Sequence, residues 1–276
     1  MPGDADIFLR INDWSERLAE ELPALENVIR LHAGKGKLQI LDLGCGTGQH
    51  LQVLAKNHPE HAFFGLDKDA DRVKRARASA TREGLAITFV EGDFPVWLGQ
   101  HAGELGKYDI IYAIGNSIAL IWDTGGVDAT IAAISSMLAP GGYLYFQIQN
   151  NEHPKRGYAA SRVVQLDNDV EAFTVKHYMP DTTHRAMIVE FLTFRRGPGD
   201  LKYGIEAESY GWPLVPLADI KASLARHGFA RVEAWSDHAR GPFDPATSND
   251  LVVLAKKGLG ESILCDGKGM RVPRKN

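Results

Sequence analysis

Leu38-Gln39-Ile40-Leu41-Asp42-Leu43-Gly44-Cys45-Gly46-Thr47-Gly48 is a short apolar run that ends in an acid and breaks into three alternating glycines. A run of this length bounded by turn residues reads as a buried strand. Glycines at its end admit positive φ and remove Cβ, so the backbone can pass close against a bound ligand. Helical character begins at Gln49. Strand, glycine loop and helix therefore follow in the order a cofactor loop requires. A dinucleotide fingerprint would place its third glycine three residues after the second, at position 49, where this chain has Gln49. That spacing disfavours NAD.

Working outward, four further apolar runs read as buried parallel strands: Ala62 to Asp67, Ala86 to Asp93, Tyr108 to Gly115 and Tyr143 to Ile148. Helical segments lie between them at Gln49 to Asn57, Ala70 to Glu83, Pro95 to Leu105 and Val127 to Leu138, the last closed by Pro140-Gly141-Gly142. Upstream, Trp14, Leu18, Leu22, Leu25, Val28 and Ile29 recur at helical spacing, and Pro23 is expected to bend or divide that segment. The alternation predicts a Rossmann-like, doubly wound α/β sheet, mostly parallel with an antiparallel last strand. Between about 160 and 212 the rhythm changes to alternating β patterns, with a hairpin expected around Asp167-Asn168-Asp169. This segment reads as an antiparallel insertion or lid. A helix from about Leu217 to His227 and the strands FARVEAW and DLVVLAK complete one expected domain at 1–257. It carries a helical lead-in at 1–37, and a loosely held tail is expected at 258–276.

The pattern Asp42-x-Gly44-x-Gly46-x-Gly48 resembles the DxGxGxG motif of class I S-adenosylmethionine-dependent methyltransferases. Asp67, ending the second strand, stands where a carboxylate accepts two ribose hydroxyls. Gly92-Asp93-Phe94 after the third strand matches the family's adenine site. The resemblance implies S-adenosyl-L-methionine as cofactor. It assigns the cofactor to Trp14, Asp42, Gly44, Cys45, Gly46, Gly48, Asp67, Lys68, Asp93, Phe94, Ile114 and Gly115. Gly115-Asn116-Ser117 is similar to the GNS segment of glycine and sarcosine N-methyltransferases and their small-molecule relatives. That similarity makes Asn116 and Tyr210 the catalytic candidates. Asn116, Asn150, Arg156, Arg162 and Tyr210 become the contacts to the acceptor. The Asn/Asp-Pro-Pro-Tyr motif and the paired glutamates of other methyltransferase groups are missing, which favours a small-molecule acceptor.

Simpler readings stand beside these. Asp67 could cap a helix, Asp93 could begin a turn, Phe94 and Trp97 could be core aromatics, and Trp14 could anchor a helix. His50, His58 and His61 show no metal-ligand spacing and are expected to be solvated or capping. An oxygen or carbon methyltransferase, and a cofactor-binding protein without transferase activity, remain alternatives. With 31 basic against 35 acidic side chains and a net charge of -4, the chain offers no bulk attraction to nucleic acid or an anionic membrane. Cys45 and Cys265 suggest neither a disulfide framework nor a zinc site. A cytoplasmic enzyme, with a homo-oligomer possible, fits this composition.

Overall fold

The computed structural model describes residues 4–32, 34–94, 96–99 and 106–259. Two helices lead in, α1 (Asp4–Ile11) and α2 (Trp14–Arg30), the second capped by the Asp13 carboxylate, which accepts the Glu16 N–H. The helix α2 runs on through Pro23 rather than dividing there, because Ala24, Leu25, Val28 and Ile29 bury its apolar stripe against the sheet.

The alternating region follows as β1 (Gln39–Leu43), α3 (Gln49–Asn57), β2 (Ala62–Asp67), α4 (Ala70–Arg82), β3 (Ile87–Glu91), α5 (Val96–Gly99) and β4 (Tyr108–Ala113). It continues as α6 (Ser117–Gly125), α7 (Val127–Met137) and β5 (Leu138–Gln149). After an insertion come α8 (Leu217–Arg226) and two strands. Counting the insertion, these are β11 (Phe229–Trp235) and β12 (Asp250–Lys257). The main sheet has seven strands in the order β11-β12-β5-β4-β1-β2-β3. Within it β12 runs antiparallel to both of its neighbours, as the sequence pattern leads one to expect of the last strand. Of the helix expected over 95–105, only α5 falls on described residues, and the tail beyond 259 lies outside them.

Successive strand residues serve opposite faces. Leu38, Ile40, Ile110, Tyr112 and Tyr145 pack with α2, α3 and α4, whereas Leu41, Leu43, Ile111, Ala113 and Phe146 pack with α6 and α7. Burial on both faces explains why the strands read as continuous apolar runs. One boundary departs from expectation. Pro140-Gly141-Gly142 does not close a helix; it lies inside β5, which starts at Leu138 opposite Tyr108. A Cβ at Gly142 would stand 2.9 Å from the carbonyl oxygens of both Ala139 and Asp109, so glycine is what lets the strand enter the sheet there.

The insertion is a separate antiparallel sheet of β6 (Gly157–Ala160), β7 (Val164–Gln165), β8 (Glu171–Asp181), β9 (Ala186–Arg196) and β10 (Gly204–Pro213). The hairpin expected around Asp167-Asn168-Asp169 joins β7 to β8. Register places Pro180, Met187 and Trp212 on one face with Tyr178, Val189 and Tyr210. Met187, Val189 and Trp212 from that face are buried in the main core beside α6. The second sheet is thereby anchored over the carboxyl ends of β4 and β5. Trp122 of α6 is 1% exposed and meets Phe146 edge-on at 6.1 Å between ring centroids. Trp122→Ala is expected to cost about 3–5 kcal/mol, read as a lower midpoint in urea denaturation at unchanged slope.

Candidate cofactor and acceptor site

The strand order reverses direction between β1 and β4, and open α/β sheets bind ligands at the crevice such a switch creates. The glycine loop stands there. Gly44, Gly46 and Gly48 have φ of 77°, 54° and 77°, a backbone path that favours residues without Cβ. The loop is tied to the next strand by the N–H groups of Gly44 and Cys45, which donate to the Leu66 carbonyl at 2.7 and 3.1 Å. Packing adds a second demand for glycine, because a Cβ at Gly44 would lie 2.6 Å from Ser117 Cβ, and one at Gly48 2.7 Å from the Phe89 ring.

Asp67 is buried at the end of β2, and its Oδ2 accepts the Gly46 N–H at 2.7 Å while Oδ1 accepts the Asp69 N–H at 3.0 Å. A carboxylate offers about four acceptor positions, so capacity remains for two ribose hydroxyls. Asp67 does not cap α4: Asp69 does, accepting from Asp71 and Arg72. Asp42 lies beneath the loop beside Tyr112 in the register. Burial pushes its carboxyl well above the ordinary range, with the Tyr112 hydroxyl pulling the other way. Burial likewise pushes the Cys45 thiol up. At the β3 end Asp93 is exposed, whereas Phe94 and Trp97 are core aromatics; Lys68 is exposed at the β2 end. At the β4 end Ile114 is buried and Gly115 is exposed, and the Gly115 N–H donates to Gln147 Oε1 at 2.8 Å.

One wall comes from α2. Trp14 lies edge-on to His50 at 6.0 Å and carries the Arg17 guanidinium 4.8 Å from its ring centroid. Arg17 pairs with Glu21 at 3.0 Å, and Glu21 also meets His50. Burial pushes the Glu21 carboxyl up, but the His50 hydrogen bond and the Arg17 charge outweigh it and hold the group below its ordinary value. His50 is thus buried and paired with Glu21, where a solvated or capping role was expected for it. His58 caps the end of α3, and His61 accepts the Leu38 N–H at 3.4 Å. With Glu60 these two form a group able to approach a metal ion. It precedes β2, at the sheet end away from the glycine loop.

The acceptor candidates separate clearly. Asn116 takes a left-handed φ of 69° at the start of α6, and its Oδ1 accepts the Gln149 N–H at 3.0 Å, so it shapes the floor beside Gly115. Asn150 is buried, its amide donates to the carbonyls of Pro245 and Ser248, and its Oδ1 accepts the Glu152 N–H, a knot that ties the end of β5 to the loop before β12. The Arg162 guanidinium donates to the Arg10 carbonyl at 3.0 Å, clasping the insertion to α1. Arg156 is exposed in the loop before β6, and Tyr210 on β10 donates to Glu208 and meets Phe191 edge-on. Sequence reasoning missed the floor residues Gln147, Gln149 and Asp250 and the roof residues Lys176 and Tyr178. Gln147 joins Gly115 to Asp250, and Tyr178 meets Gln149 through a side-chain hydrogen bond. The alternation Tyr145, Gln147, Gln149 was the available signal, polar residues continuing one strand face. A separate cleft of about 380 Å³ between the β8–β9 turn and α8, lined by Asp128, Arg185 and Asp219, is a seam crossed by the Arg185–Asp219 contact and lies away from the glycine loop.

The segment from β1 into β5, residues 40–142, matches the family model described as a methyltransferase domain. A trans-aconitate 2-methyltransferase of Paracidovorax citrulli is 32% identical over 52% of this chain and 49% of its own length. The chain spans about half the length of that curated relative. Among solved structures, an S-adenosylmethionine-dependent methyltransferase of Clostridium acetobutylicum superposes with a TM-score of 0.66 at 18% identity, over 93% of this chain and all of the other. A sugar N-methyltransferase of Streptoalloteichus gives 0.63 at 18%, over 87% and 88%. The fold shared with these structures therefore extends beyond the matched segment to the insertion and the last strands. No helix among the described residues is long and apolar enough to cross a membrane.

Two outcomes follow for this domain. Gly44→Ala combines left-handed strain with the Ser117 contact and is expected to destabilise by about 1–3 kcal/mol in chemical denaturation. Because the folded Glu21 carboxyl is depressed, the stability it contributes is present above about pH 4.3 and is lost as pH falls. Denaturation midpoints measured between pH 6 and 3 should fall less steeply in Glu21→Gln than in wild type.

Proposed function

We propose that this chain transfers a methyl group from S-adenosylmethionine to a small-molecule acceptor, at an amine nitrogen. The arrangement of the Gly44–Gly48 loop, with Gly46 joined to the buried Asp67 beside the exposed Gly115, carries this reading. The residues fit the cofactor. Asp67 has acceptor capacity for both ribose hydroxyls, the loop supplies backbone that approaches a ligand without Cβ, and exposed Asp93 can accept from the adenine amine. The relative named for trans-aconitate and the structural neighbour named for a sugar both act on small molecules, in keeping with a crevice roofed by the second sheet.

When bound, S-adenosylmethionine supplies an electrophilic methyl group on a sulfonium. The chain's own work is then alignment and exclusion of water. Gly115 and Asn116 form the floor, Trp14 and Arg17 one wall, and Tyr178 part of the roof. Alignment of this kind can contribute up to about 7–11 kcal/mol. An amine that arrives neutral needs no base, which suits a floor of amides in Asn116, Gln147 and Gln149. The GNS segment and the N-methyltransferase among the structural neighbours favour nitrogen.

Calorimetric titration with S-adenosylmethionine, S-adenosylhomocysteine and NAD tests the cofactor half. The two sulfur compounds are expected to bind and NAD not to. Asp67→Ala should weaken them about 10- to 100-fold, the worth of charge-assisted hydrogen bonds, while circular dichroism confirms the fold. Absence of binding to folded wild type would overturn the proposal. Methyl transfer to phenols or carboxylates but not amines, in a labelled-methyl assay, would overturn the choice of nitrogen.

A further inference from the structure

Three cations converge on the crevice, and two of them are compensated. Arg17 on α2 is held by Glu21 at 3.0 Å, and Lys155, in the loop after β5, is attracted by Asp250 on the floor. The third is Lys176. It sits in the middle of β8, partly buried, with its Nζ 5.2 Å from the centroid of Phe191, its register partner on β9. Among the described residues Nζ has no hydrogen bond and no ion pair. Side chains alternate along β8, so Lys176 shares a face with Thr174 and Tyr178. Tyr178 on that face reaches Gln149, and the neighbouring register positions Met187 and Val189 enter the main core, so this face looks onto the crevice.

Burying an ammonium without a partner is costly. Burial, with Arg17 and Lys155 adding repulsion, moves Lys176 below the ordinary lysine range. A surface-directed lysine would shed this cost by swinging into water. One fixed beneath a sheet, over an aromatic ring and facing a polar floor, is arranged for an anion that arrives with a ligand.

Building on the methyltransferase reading, we propose that Lys176 is the counter-ion for an acidic group on the methyl acceptor, so the acceptor is a small amine bearing a carboxylate or phosphate. Gln147, Gln149 and Asp250 then face the amine end from the floor while Lys176 holds the acidic end from the roof. The lysine is a positioning residue and takes no part in breaking the carbon–sulfur bond.

The test titrates three probes into protein saturated with S-adenosylhomocysteine: β-alanine, phosphoethanolamine and ethanolamine. At least one of the two acidic amines should bind about tenfold or more tightly than ethanolamine. Which one does so separates carboxylate from phosphate. Lys176→Met should abolish that preference, Lys176→Arg should keep most of it, and both variants should bind S-adenosylhomocysteine within about twofold of wild type. Equal binding of ethanolamine, no binding of any probe, or a preference that survives in Lys176→Met would overturn the inference. Loss of S-adenosylhomocysteine binding in Lys176→Met would overturn it too, by assigning the charge to the cofactor's own carboxylate. Failure of wild type to bind S-adenosylhomocysteine would instead remove the methyltransferase reading on which the inference rests.

Discussion

The hydrogen bond from the Gly46 N–H to the Asp67 carboxylate joins the ends of two neighbouring strands, and the cofactor crevice depends on it. Without an acceptor there, the loop's N–H would be stranded in a buried turn, an expensive condition for a backbone donor. With it, the left-handed path through Gly44, Gly46 and Gly48 is held against the sheet, and α3 starts where the loop leaves off. The same carboxylate fixes the Asp69 N–H, and Asp69 in turn caps α4. One acid therefore sets the positions of the loop and of the next helix while keeping acceptor capacity toward the crevice.

The rest of the crevice is built by charge and burial around that fixed centre. The Trp14, Arg17, Glu21 and His50 cluster couples the leading helix to the helix that follows the glycine loop. Above, the second sheet shares its inner face between structure and function. Met187, Val189 and Trp212 anchor it in the core, and the same face farther along β8 presents Tyr178 and Lys176 to the polar floor. Anchoring by large apolar groups is what allows a lysine to be held in place beneath the roof despite its cost.

The legible part of this molecule was local. Strand β2 and helix α3 fall on the residues their apolar patterns indicate, and α4 differs only at its final residue. The glycine spacing and the acid at Asp67 could be read because strand, loop and helix follow within one short segment. Less legible were the residues whose partners lie far away in sequence. Asn150 looked like a contact for the acceptor, but its amide is committed to carbonyls at Pro245 and Ser248. Arg162 looked like a carboxylate clamp, yet it binds the carbonyl of Arg10. Pro140-Gly141-Gly142 carried a stop signal for a helix, but the pairing of Tyr108 with Leu138 draws it into a strand.

By itself the sequence determined an α/β fold with a glycine loop at a strand end, because hydrophobic periodicity and glycine conformational freedom are properties of neighbouring residues. Tertiary structure alone decided which polar residues line the crevice. Lys176 and Gln149 stand 27 positions apart on two different sheets. Only the packing of one sheet over the other puts the first in the roof and the second in the floor, and the cost of burying a charge then gives that placement its meaning.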